Sequence, residues 1–195
     1  MKQFFKDHSY NMIKMLLNQF GTAIFGFSLA VASVKAQNAT LRNVTSAVSI
    51  LFYLFLLYTM TWEIGYKDKI SVESGKKKRN SLTGAWISLG ANIPNFVMAL
   101  LVMLASLLNV EVLSNIGAFC SSAALILEGM FTGLLTNHLG GAALNSYWWV
   151  YFLLPIPSIV VCGIAYNMGI HDIKFTGIFD PIVPESDRDP KQKKR

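Results

Sequence analysis

Glu128 interrupts an apolar run, and a carboxyl group in that setting is a candidate functional group that needs a partner or a water-filled cavity, or else a solvated carboxylate at the outer interface. A second polar set lies upstream. Gly84, Ser88, Asn92 and Asn95 follow spacings of four, four and three, so they share one helical face. Ile87, Val97, Leu100 and Leu104 occupy the other face. Amides on a small-residue stripe do one of two things in an apolar helix. They hydrogen-bond across a close helix contact, or they line a hydrated path for a polar solute. Packing is the first reading of Ser88, Asn92 and Asn95; a cavity completed by Glu128 is the second. Pro94 sits within the stripe and frees the carbonyl near Gly90. Gly129 and Gly133, just after Glu128, form a small-xxx-small pair suited to close packing.

Motifs for covalent or phosphoryl chemistry are missing. The sequence has no Walker A loop, no GxSxG, no HExxH and no dinucleotide fingerprint. His138 and His171 stand 33 residues apart, without partners at metal-ligand spacing. Cys120 and Cys162 belong to no CxxC and read as small apolar packing residues. No catalytic residue, metal or cofactor is assigned, and an enzyme is the third choice of function.

The elements that must position these groups are membrane spans. Of 195 residues, 53% are hydrophobic and 14% charged, against about 25% charged in a soluble domain. No Asp, Glu, Lys or Arg occurs in the 31 residues between Arg79 and Glu111, or in the 43 between Glu128 and Asp172. Four spans are predicted, at approximately 15–34, 44–62, 82–108 and 147–169. The first, 20 residues long, would cover about 30 Å as a helix. A cleaved signal peptide competes with it, because Ala30-Val31-Ala32 resembles a cleavage site. The long leader containing Asp7 favours an uncleaved span. Asn18 and Gln19 within it are expected to bond to neighbouring helices, and Lys14 to pair with Glu63. Tyr147, Trp148, Trp149 and Tyr151 form an interfacial aromatic belt, and Pro155 and Pro157 beyond them predict a kink or hinge.

Residues 112–146 are apolar but too short for two crossings and are read as non-crossing, re-entrant or outer-interfacial. Charge sorting requires this. With the N-terminus cytoplasmic and no net crossing there, 15 Lys and Arg lie inside and 2, Lys35 and Arg42, outside. One net crossing would make the count 9 against 8 and remove the bias.

The expected fold is therefore all-α: a polytopic helical membrane protein of even parity, with both termini cytoplasmic. A single helical membrane domain fills 1–175, followed by a basic tail at 176–195. The formal charge of +6 flanks apolar spans, which points to anionic headgroups rather than nucleic acid. Lys76, Lys77, Lys78 and Arg79 are the candidate contacts with anionic lipid. The expected location is a bacterial cytoplasmic membrane. The first functional expectation is a non-enzymatic membrane subunit or accessory protein that packs against another membrane protein or as a homo-oligomer. The alternative is a small transporter, channel or solute-binding component with a cavity near Asn92, Asn95 and Glu128.

Overall fold

The computed structural model describes residues 2–76, 78–108 and 111–173. Lys77 and the tail at 176–195 lie outside the described residues. Helices dominate, in the order α1 (Lys2–Lys35), α2 (Ala39–Glu73), α3 (Thr83–Ala91), α4 (Ile93–Leu108), α5 (Glu111–Leu127), α6 (Thr132–Leu135), α7 (Val150–Leu153) and α8 (Ile156–Ile170). Short 3-10 turns occupy Gly129–Phe131 and Leu144–Ser146. Three helical stretches among the described residues are long and apolar enough to cross a membrane, or up to five if each bent pair counts as one.

Turn chemistry sets the first hairpin. Gln37 adopts φ 51°, and the Asn38 side chain caps α2 by accepting from the Leu41 amide at 3.0 Å. α2 then packs along α8 and α3 packs along α8 as well. Glycines permit these contacts. A Cβ at Gly65 would strike the Tyr166 carbonyl, one at Gly169 the Trp62 carbonyl, and one at Gly84 the Cys162 carbonyl.

The predicted spans at 15–34, 44–62 and 147–169 fall within α1, α2 and the α7–α8 stretch, apart from the flanking aromatics at 147–149. The span predicted at 82–108 is different: it bends by 55° at Asn92, between α3 and α4, two residues before Pro94. Pro155 and Pro157 produce a milder effect. Pro155 starts α8 rather than breaking the stretch, and the Ser158 hydroxyl donates to its carbonyl at 2.7 Å.

Residues 112–146 contain most of the irregular structure. α5 runs back along α4, with Gly117 against Ala105, and then turns by 85° into Gly129–Leu135. That short piece slots between α1 and α2: Gly129 meets the Ala23 carbonyl, and Gly133 meets Arg42 and Ser46. A two-stranded antiparallel hairpin follows, β1 (His138–Leu139) with β2 (Ala142–Ala143), turning on Gly140 and Gly141 at φ 61° and 90°. It is a small exception to the all-α expectation.

Polar contacts fasten both ends of the bundle. At the Lys14 end, Tyr166 donates to Asp68 at 2.7 Å, Lys69 pairs with Asp172 at 3.4 Å, and Arg79 meets His171 at 2.8 Å. Glu63 makes its direct contact with Lys67 at 2.6 Å, because residues four apart on α2 need no second helix to meet, and Lys14 acts on it electrostatically from farther off. At the other end, Arg42 donates to Asn137 at 3.1 Å and Asn137 to Asn43 at 2.9 Å. Large apolar side chains such as Leu17, Leu51 and Phe119 point outward, the arrangement a bilayer solvates.

Candidate functional site

The 85° turn is built around Glu128. Its amide closes α5 by donating to the Ala124 carbonyl, and its own carbonyl accepts from Phe131 to open the 3-10 turn, both at 2.8 Å. The backbone thus changes direction at the one ionisable residue of the segment 112–136. The side chain is 3% exposed. Gln19, 1% exposed on α1, donates from Nε2 to Glu128 Oε1 at 2.9 Å. The same amide lies 3.4 Å from the Leu127 carbonyl. Small residues bring the two elements close enough for this contact. Gly26 of α1 lies against the Met130 backbone, where a Cβ would collide.

The stripe on α3 and α4 forms a second buried cluster. Asn92 Nδ2 donates to the Ser88 carbonyl at 2.9 Å and to Ser158 Oγ at 3.1 Å. Asn95 Nδ2 donates to Asn92 Oδ1 at 2.9 Å, across the 55° bend. Ser88 and Ser158 approach within 3.4 Å. One acceptor is left over: Asn95 Oδ1 is buried and has no hydrogen-bond partner among the described residues. Burying such a group unpaired costs about 1–3 kcal/mol.

Tyr53 of α2 lies in the middle of its apolar span. Its phenol is buried, 3% exposed, in the hydrophobic core of the bundle. Glu128 pairs with Gln19 in one buried polar cluster, and Ser88, Asn92 and Asn95 join Ser158 in the other. Pro155 and Pro157 flank it through Ser158. Lys76, Lys78 and Arg79 are exposed at the Lys14 end and take no part.

The two clusters offer hydrogen-bond donors and acceptors and one carboxyl group. They present no nucleophile with an adjacent base, and no group of three or more His, Cys, Asp or Glu suited to a metal exists among the described residues. A Glu128 carboxylate has no cationic partner among the described residues, so its charge calls for a proton or an entering cation.

Sequence reasoning singled out Glu128 and the stripe, and it placed Gln19 in a helix contact without naming its partner. Tyr53 and Ser158 were missed. Their signals were available: a phenol in the middle of an apolar span, and a lone hydroxyl in the apolar stretch that follows Pro157. No known protein family matches the chain, and no curated protein or solved structure matches it.

Proposed function

We propose that this chain is a multi-pass integral membrane protein that binds a small cation or polar solute among the buried polar groups at its helix breaks. In this reading α1, α2, the bent α3–α4 pair and the α7–α8 stretch cross the bilayer. α5 and residues 129–135 form a re-entrant segment with Glu128 at its turn. Both termini then face the cytoplasm, in keeping with the 15-to-2 sorting of Lys and Arg. The observation that carries the proposal is the buried Gln19–Glu128 hydrogen bond at the 85° break. Helix breaks that gather polar side chains near the middle of a bilayer are where membrane transporters hold ions and solutes. An intramembrane carboxyl group supported by a neutral amide alone takes either a proton or a counter-charge, and a bound cation supplies the second.

Thiol accessibility tests this reading. Cysteine would be placed in turn at Asn92, Asn95 and Glu128, in a background with Cys120 and Cys162 replaced by alanine, and exposed to a membrane-impermeant reagent in sealed vesicles. Reaction at one or more of the three positions is expected. Protection of all three would remove the transport reading.

A second reading has its own support. The α4–α5 hairpin exposes Leu100, Leu107, Val112, Ile116 and Phe119, a surface suited to a neighbouring membrane helix as well as to lipid. A non-enzymatic subunit or homo-oligomer packed through that hairpin would co-purify with its partner at fixed stoichiometry.

A further inference from the structure

Two cavities lie end to end along the groove between α1 and α2. The first, about 520 Å³, opens at the basic end and is lined by Asn11, Lys14, Glu63, Lys67 and Lys76 among others. The second, about 480 Å³, is almost wholly apolar and is lined by Gly21, Phe25, Val48, Phe52 and Leu56 among others. Helical spacing makes them one feature. Asn11, Lys14, Asn18, Gly21 and Phe25 advance by three or four along α1, and Val48, Phe52, Leu56, Met60, Glu63 and Lys67 do so along α2. Asn18 of the second cavity and Met60 of the first meet at the junction, 3.5 Å apart. Each compartment falls within the roughly 300–1,000 Å³ of small-molecule sites.

The charges in the first compartment do not cancel. Three lysines, Lys14, Lys67 and Lys76, face two carboxylates, Glu63 and Asp68, which leaves an excess of one positive charge, and Lys67 is the residue in contact with Glu63. Lys14 and Lys76 enter no ion pair among the described residues. A basic, water-facing chamber that continues into an apolar slot two helical turns long matches one kind of molecule: an amphiphile with an anionic head and a hydrocarbon tail.

We infer that the α1–α2 groove is a binding site for a single anionic glycerophospholipid from the leaflet at the basic end. Its phosphate sits by Lys14 and Lys76, and one acyl chain runs over Gly21 between Phe25 and Phe52. Gly21 is the floor of the slot, since a Cβ there would meet nothing within 4 Å. This site is separate from the Glu128 core and stands or falls independently of it.

Native mass spectrometry of the full chain in detergent can test the site, with short-chain phosphatidylglycerol as the probe and phosphatidylcholine of the same chain length as the control. Retention of phosphatidylglycerol over phosphatidylcholine is expected. Lys14→Gln should weaken it about fivefold, the effect of one interfacial cation. Gly21→Leu places its side chain in open space, so folding survives while the slot is filled and retention falls. Free glycerol phosphate at the same concentration should not displace the lipid. Equal retention of the two lipids, displacement by glycerol phosphate, or unchanged binding in both variants would overturn the inference.

Discussion

Gln19 and Glu128 lie 109 positions apart and meet in a 2.9 Å hydrogen bond that ties the middle of α1 to the turn after α5. Replacing one partner strands the other in a buried setting. Gln19→Leu should therefore destabilise the fold by about 1–3 kcal/mol. Glu128→Gln keeps a carbonyl acceptor and should cost less than Gln19→Leu. The double change Gln19→Leu with Glu128→Met should cost less than the sum of its parts, because neither polar group is left behind. Denaturant unfolding of the purified protein in detergent measures all three, and strict additivity would mean that the bond does not couple the two elements.

Backbone contact between helices gives a second prediction. Gly65→Ala and Gly169→Ala each drive a methyl into a carbonyl of the facing helix and should cost about 1–3 kcal/mol. Gly21→Ala meets open space and should gain up to about 1 kcal/mol from helix propensity. Thermal unfolding would show the first two midpoints falling and the third holding or rising.

The limits of the sequence follow the same physics. Apolar length and charge spacing are local properties, so α1, α2 and the α7–α8 stretch could be placed without knowing what they touch. The bend at Asn92 was harder to read. Pro94 announces a weak point, but the direction and size of the turn depend on Asn92 holding Ser158 of α8 at 3.1 Å. Glu128 stood out as an oddity in its own segment. Its partner did not, because nothing local to Gln19 encodes a contact 109 residues away. Ser158 shows the same limit: its bond to Asn92, 66 residues away, is a property of the packed bundle. Lys67, one turn along α2, makes the direct contact with Glu63, and Lys14 acts on the same carboxylate electrostatically from beyond contact distance.

Within the stripe the two asparagines should differ. Asn92 donates to Ser88 and Ser158 and accepts from Asn95, so Asn92→Ala should cost about 1–3 kcal/mol. Asn95 makes one bond and carries an unmatched acceptor, so Asn95→Ala should cost about 0.5–1.5 kcal/mol. Equal losses would indicate that Asn95 Oδ1 has a partner in the membrane-embedded protein, a bound solute being the first to look for.

Sidedness provides the last prediction, and it follows from contacts at the two ends. Lys69 meets Asp172, Asn167 donates to the Ser81 carbonyl, and Arg79 meets His171, so the loop after α2 and the end of α8 share one face. Arg42 holds Asn137, which puts the α1–α2 turn and the hairpin at 138–143 together on the other. Single cysteines at Ser74 and Asp172 should therefore react with an impermeant thiol reagent from one side of sealed vesicles, and cysteines at Gln37 and His138 from the opposite side. Labelling of Asp172→Cys from the Gln37 side would break the even parity that the charge sorting demands. It would also require the α2–α8 packing, with its glycine contacts at Gly65 and Gly169, to come apart in the bilayer.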